Sequence, residues 1–182
     1  MMVACAILCF ASARGASPAA EFDAAAKAGK PLTAEAAYRA VLRDGEKVAP
    51  IIHFRAAMLA EASGQPTLVR DRLNLFVRQE QGWTPEVERA LWTLTASGDD
   101  IEQFRRLSTK VPADSSLWRT GYNMLTRFRQ ANRHQQVIQM TDALIAVFKE
   151  KSRRNAAFDR LWDSWASNRN AYPVKDLHDF LR

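Results

Sequence analysis

The residue types that most often carry chemistry are few in this sequence and do not form a recognisable catalytic pattern. The three histidines stand alone and far apart in the chain: His53, His134 and His178. Asp179 follows the last of these, but no further ligand lies at helical spacing from that pair, so the sequence predicts no metal site. Nucleophile-elbow glycines and glycine-rich phosphate loops are also missing. The neighbouring Asp99 and Asp100 suit a helix cap better than an acid pair. We therefore expect a protein that is not an enzyme and that uses no cofactor or metal.

Positive charge is the first feature that could serve a ligand. The 182 residues include 26 Lys and Arg against 20 Asp and Glu, a net charge of +6. Residues 103–170 hold thirteen of these bases against five acids, or +8, and Arg outnumbers Lys there. Such a stretch could bind nucleic acid, an anionic glycan or an acidic peptide, and it could equally be an ordinary solvated surface.

Composition and patterning favour helices throughout. Apolar residues make up 47% and charged residues 25% of the chain, with only seven Gly and seven Pro. Strand-like alternation is missing, so these values indicate a folded all-α protein. The apolar spacing predicts helix pairs at about 19–43, 49–80, 84–111, 114–151 and 155–182. Thr33, Thr84 and Asp114 or Ser115 are the expected N-caps. The connections are short, which favours antiparallel neighbours.

Three turn residues recur at equal spacing and organise these helices. Gly64, Gly98 and Asn132 lie 34 residues apart, and each ends a predicted helix that a second helix follows. Gly and Asn are the residues that a left-handed helix end penalises least, so we expect all three to adopt that conformation. Gly29, 35 residues before Gly64, and Asn168, 36 residues after Asn132, are looser outer members of the series.

This pattern resembles the tetratricopeptide-repeat family, whose helix pairs recur every 34 residues. The likeness covers nearly all of residues 19–182. Gly64 and Gly98 occupy the place of the family's turn glycine, and Ala57 occupies that of a small residue in the first helix. The resemblance implies an all-α, right-handed superhelical α-solenoid of about four to five antiparallel helix pairs over residues 18–182.

The sequence also departs from the family signature. Leu91 and Leu125 occupy the small-residue position of the first helix in the next two pairs. The alanine of the second helix is replaced at three positions, by Val69, Gln103 and Val137. A related α-hairpin repeat is therefore an alternative to the tetratricopeptide fold.

The resemblance implies a binding surface, because the first helices of such pairs line a concave groove. The residues expected on that face are, helix by helix, Phe54, Met58 and Glu61; Glu88, Trp92 and Thr95; Arg119, Tyr122, Thr126 and Arg129; and Phe158, Trp162 and Trp165. Aromatic residues and Arg are enriched in peptide-binding hot spots. The alternatives are packing between repeats for the tryptophans and a solvated face for the arginines.

Residues 1–17 resemble a secretory signal peptide. The apolar stretch 3–13 is too short to span a bilayer, and small residues around 11–16 suit a signal-peptidase cut. Both cysteines, Cys5 and Cys9, fall within it, so no disulfide framework is expected beyond it. A basic start is missing, so the alternatives are a true start that lies upstream or an apolar tail. We expect a mature chain of residues 18–182, periplasmic or secreted, without a transmembrane span.

Three functions are consistent with these features. The favoured one is a non-enzymatic scaffold that binds a peptide or a protein subunit on its concave face. The second is a basic helical-repeat protein that binds a polyanion; export makes nucleic acid unlikely and leaves anionic envelope polymers. The third is the N-terminal repeat region of a longer, exported chain that could be enzymatic, because residues 179–182 lack a polar capping helix.

Overall fold

The computed structural model describes residues 17–43 and 48–167, and this part of the chain is all-α. Its helices are α1 (Pro18–Lys27), α2 (Pro31–Arg43), α3 (Pro50–Ala62), α4 (Pro66–Gln79), α5 (Pro85–Ser97), α6 (Ile101–Ser108), α7 (Ser115–Gln130), α8 (His134–Val147) and α9 (Lys151–Ser167). The prediction of an all-α protein is therefore confirmed. The last predicted helix, which would begin at Pro173, lies outside the described residues.

Proline and capping side chains set most of the helix starts. The first five helices each begin with a proline, whose fixed φ and missing N–H suit a first turn. Thr84 caps α5 by accepting a hydrogen bond from the Val87 amide at 3.2 Å, as predicted. Asp114 caps α7 in the same way. The prediction for Thr33 is wrong, because α2 already begins at Pro31 and Thr33 lies inside it.

The turn residues fall into two classes. Gly29 and Gly64 have φ of +65° and Asn132 has φ of 53°, so these three adopt the expected left-handed conformation. Gly98 does not: its φ of −101° and ψ of −176° are extended. Its amide donates to the Leu94 carbonyl at 2.6 Å, and a Cβ at Gly98 would lie 2.5 Å from that oxygen. Close backbone approach, rather than left-handed geometry, explains the glycine there.

Consecutive helices pack against each other along the chain. The pairs α1–α2, α3–α4, α5–α6 and α7–α8 are in contact, as are α4 with α5 and α8 with α9. Helices two apart also touch in the later part, α5 with α7, α7 with α9, and α6 with α8. This arrangement is compatible with a helical repeat. The fourth pair ends earlier than predicted, because Phe148 turns extended after α8 and buries its ring against Trp118.

Two hydrophobic clusters form the core. The larger one runs through α3 to α9, and it includes Leu73, Leu91, Phe104 and Leu125, all fully buried. The smaller one joins α1 and α2 to the outer side of α3 around Phe22. Helix α3 contributes to both clusters, so it links the first helix pair to the rest.

A buried guanidinium reinforces that link. Arg72 of α4 is only 5% exposed. It donates to the Ala56 carbonyl of α3 at 2.8 Å and to the Glu35 carboxylate of α2 at 2.5 Å. Its guanidinium also lies 4.6 Å from the centre of the Tyr38 ring. One side chain therefore ties three helices together.

The groups around Arg72 have shifted acidities. Burial would raise the pKa of Glu35, but the hydrogen bonds and charges of Arg72 and Arg39 outweigh it and lower that pKa. Burial raises the pKa of Tyr38 to about 12. The Tyr38 hydroxyl shares a 2.8 Å hydrogen bond with Nδ1 of His53. Burial lowers the pKa of His53, against a smaller opposing effect of the Gln79 side chain.

We expect Arg72→Ala to lower the free energy of unfolding by about 3 kcal/mol, because it removes the buried donor that joins the Ala56 carbonyl to the Glu35 carboxylate and leaves Glu35 only the exposed Arg39. The matched control is Arg55→Ala, which breaks the exposed 2.8 Å pair with Asp23 and should cost less than about 1 kcal/mol. Urea unfolding followed by circular dichroism measures both. Equal losses would show that Arg72 does not hold the helix pairs together.

Acid should weaken the fold through His53. The unfolded chain takes up this proton near pH 6.5, whereas the folded protein takes it up only at lower pH. The unfolded state then binds more protons, so the free energy of unfolding falls as the pH falls below 7, by at most about 1.4 kcal/mol at pH 5.5. Urea titrations at both pH values should show that His53→Phe reduces this difference. Tyr38→Phe, which loses the same hydrogen bond, should retain it; a difference unchanged in both variants would contradict the assignment.

Candidate binding surface on the first helices

The expected binding face divides into core and surface positions on α3 and α5. Phe54 is buried and its ring packs 5.3 Å from that of Phe76, and Thr95 is fully buried. These two residues therefore pack in the interior and offer little surface to a ligand. Met58, Glu88 and Trp92 are half-buried, and both Met58 and Trp92 pack against the large core. Glu61 is exposed and forms a 3.0 Å ion pair with Arg89.

The α7 residues lie closest to the predicted surface. Arg119 is exposed, and no described carboxylate pairs with it. Tyr122 is half-buried and stacks on Trp118 with ring centres 5.3 Å apart. The Thr126 hydroxyl donates to the Tyr122 carbonyl at 2.9 Å. Arg129 is partly buried and lies 3.4 Å from the Asp163 carboxylate of α9, so part of its charge is already matched.

The α9 residues are separated from those of α7. Trp162 is 56% exposed, and its ring lies 4.8 Å from that of Trp165. Phe158 and Trp165 are half-buried. Helical periodicity places these three on a different side of α9 from Arg160 and Asp163, the residues that contact α7. The predicted aromatic track is thus two groups, one on α7 and one on the far side of α9.

A cluster between α7 and α9 supports the Tyr122 ring and was not predicted. Arg160 donates from Nε to the Tyr122 hydroxyl at 2.7 Å, and its guanidinium lies 5.6 Å from the ring centre. Trp118 packs edge-on against Phe148 at 5.3 Å, and the Arg153 guanidinium lies 5.1 Å from the Phe148 ring. Tyr122 and Arg160 are 38 residues apart. A period of 34 makes Ala156 the position equivalent to Tyr122 and does not say which side chain contacts Tyr122, so the spacing alone could not identify its partner.

Most of the arginines in the basic stretch hold together helices that are two apart in the chain. Arg106 donates to the carbonyls of Val77 and Glu80 at the end of α4, at 2.7 and 2.8 Å. Arg133 pairs with Asp99. Arg127 donates to three carbonyls at the end of α5, those of Thr95, Ala96 and Gly98, at 2.8–3.1 Å. Much of the local charge of +8 is therefore engaged inside the fold. Within the described part of that stretch, Arg119 and Arg154 are exposed and have no carboxylate partner.

No protein-family model matches the chain, and no curated protein or solved structure shows significant similarity to it. Over residues 17–43 and 48–167, no helix has the length and apolar character needed to cross a membrane. In the same part of the chain, no group of three or more His, Cys, Asp or Glu is placed to hold a metal ion.

The two kinds of arginine on α7 should respond differently to substitution. We expect Arg127→Gln to lower the free energy of unfolding by about 1.5–3 kcal/mol, because it removes a charged donor from the last carbonyls of α5. Arg119→Gln, on the same helix but exposed, should change it by less than about 0.5 kcal/mol. Chemical denaturation of the two variants beside the wild type measures both. A similar loss in the two would mean that Arg119 also serves the fold.

Proposed function

We propose that this protein is a non-enzymatic helical-repeat scaffold that binds a polypeptide segment on the surface of its first helices. The proposal rests on two neighbouring residues of α7. Arg119 is exposed and has no carboxylate partner among the described residues, and the Tyr122 ring is fixed by Trp118 and Arg160. Three side-by-side first helices, α5, α7 and α9, provide the surface on which a segment could lie. We interpret their stacking as a tetratricopeptide-like superhelical α-solenoid, with this surface on its concave side.

The chemistry of this surface suits a peptide. Tyr122 is restrained by the Trp118 ring and by the Arg160 hydrogen bond, so its exposed part would lose little freedom on binding. A half-buried aromatic ring offers apolar contact, and the neighbouring guanidinium offers a planar donor for a carboxylate. Trp92 on α5 extends the same surface. We expect the bound segment to carry an apolar or aromatic residue next to an acidic one.

The proposal extends to where the protein acts. Residues 1–16, outside the described part, hold most of the signal-like segment, so we propose a periplasmic or secreted protein whose partner is another protein of the same compartment. N-terminal sequencing of the chain recovered from the exported fraction tests this directly. A start within residues 12–18 would support export with cleavage, and an intact start in the cytosolic fraction would contradict it.

The binding surface can be tested with peptides. They are selected on the wild-type protein from a displayed random library, and their affinities for variants are then compared. We expect Arg119→Gln to weaken the selected peptides about tenfold, the loss of one charge-assisted hydrogen bond. Calorimetry gives the affinities, and Arg154→Gln, an exposed arginine on α9, is the matched control. Arg119 is preferable to Trp92 or Arg129 as the test position, because those two side chains also pack on the core or pair with Asp163.

Two outcomes would contradict this assignment. Selected peptides that bind Arg119→Gln as tightly as the wild type would remove the first-helix surface from consideration. Equal losses in Arg119→Gln and Arg154→Gln, with affinity falling steeply as salt rises, would favour the polyanion-binding alternative instead.

A further inference from the structure

A polar groove lies on the second helices of the pairs, away from Arg119 and Tyr122. It has a volume of about 620 Å³ and is lined by α4, the start of α6 and α8. Its α4 wall carries Arg70, Asn74 and Arg78 at intervals of four residues, which places them in one row along the helix. Gln136 and Gln139 line the opposite wall on α8. The groove is therefore bounded by two guanidiniums on α4 and by side-chain amides on α8, and the start of α6 adds Asp99, Asp100, Glu102 and Arg105.

The two guanidiniums are free to meet a ligand. Arg70 and Arg78 are exposed, and neither has a carboxylate partner among the described residues. Asn74 between them is held by Gln103 of α6, whose Nε2 donates to the Asn74 Oδ1 at 2.6 Å. Because Gln103 is itself buried, this amide bridge fixes the middle of the α4 wall.

Two of the three acidic residues at the start of α6 have an arginine partner, and the third lies at the positive end of the helix dipole. Asp99 pairs with Arg133. Asp100 caps the helix by accepting from the Glu102 amide at 3.0 Å. The Glu102 carboxylate lies 3.6 Å from Arg105. The unpaired positive charge of the groove therefore lies on the α4 wall, and the single carboxylate of Asp100 opposes it.

The spacing of the α4 wall matches an extended chain. Arg70 and Arg78 are eight residues apart on a helix, a rise of about 12 Å. Four residues of extended polypeptide span about 13 Å, and side chains four apart point to the same side. Carboxylates at positions i and i+4 of a strand would thus reach both guanidiniums. Side-chain amides carry both a donor and an acceptor, which suits the backbone N–H and C=O groups of that strand.

We propose that this groove is a second binding site, for an extended polypeptide segment with acidic residues four positions apart. The site uses no residue of the first-helix surface, so an experiment can support or contradict it separately from the proposed function. A chain with both sites could hold two segments of one partner or two different partners.

Fluorescence polarisation with a synthetic peptide tests the proposal. The probe is a labelled peptide of β-branched residues with glutamates at i and i+4, and the control peptide carries glutamine at both positions. We expect the double variant R70Q/R78Q to bind the probe at least about tenfold more weakly than the wild type does. The wild-type protein should also bind the probe more tightly than the glutamine control peptide. Arg154→Gln should bind the probe as the wild type does. Circular dichroism checks that each variant is folded.

An N-methylated probe separates backbone recognition from charge alone. Methylation of the amides between the two glutamates should weaken binding severalfold if Gln136 and Gln139 contact the peptide backbone. The proposal would be overturned by the absence of binding at millimolar probe, by equal affinity for R70Q/R78Q and the wild type, or by an equal loss in Arg154→Gln. The last result would show that only the overall positive charge matters.

Discussion

The structure depends on arginine side chains that satisfy the polar groups of one helix from another. A stack of short helices leaves many terminal carbonyls near its interior, and each of these needs a donor. Arg127 meets this need at the end of α5, and Arg106 does so at the end of α4. Arg72 acts at a deeper position, where it joins the carbonyl of Ala56 to the carboxylate of Glu35. A guanidinium suits these places because it presents several donors in one plane and stays charged when buried.

Because many arginines hold helices together, the positive charge of residues 103–170 is weak evidence for a polyanion-binding surface. A count of charges along residues 103–170 suggests a surface for polyanions, but several of these arginines donate hydrogen bonds to other helices of the same chain. Within the described part of that stretch, Arg119 and Arg154 stay exposed without a carboxylate partner, and outside it Arg70 and Arg78 do so on α4. Isolated guanidiniums beside ordered aromatic or amide side chains favour recognition of individual carboxylates over attraction to a polyanion. This contrast is the physical basis for preferring peptide ligands on both faces.

The two faces differ in how they would bind. On the first helices, aromatic side chains are anchored in the core, so contact area and shape would dominate there. On the second helices, the groove is polar, and its recognition would rest on hydrogen bonds and on the spacing of charges. Helix α6 contributes to both the core and the groove, since Phe104 is fully buried while its neighbour Gln103 supports the groove wall. A change in the packing of α6 should therefore also displace Gln103 and the groove wall that it supports.

The sequence by itself determined the elements of this protein, because the signals for them are local. First-turn prolines, capping side chains such as Thr84, and the apolar spacing placed nearly every described helix, and Gly64 and Asn132 showed their conformation through residue type alone. The short connections also indicated which helices would be neighbours. Only the tertiary structure decided which residues meet. Gly98 is a glycine because of a carbonyl four residues away, and Phe54 belongs to the core rather than to a surface. Tyr122 is held by Arg160 of α9, a contact that the spacing of the sequence does not identify. Such contacts follow from the offset and rotation between packed helices, which depend on all the side chains at an interface and not on any periodic pattern within one chain segment.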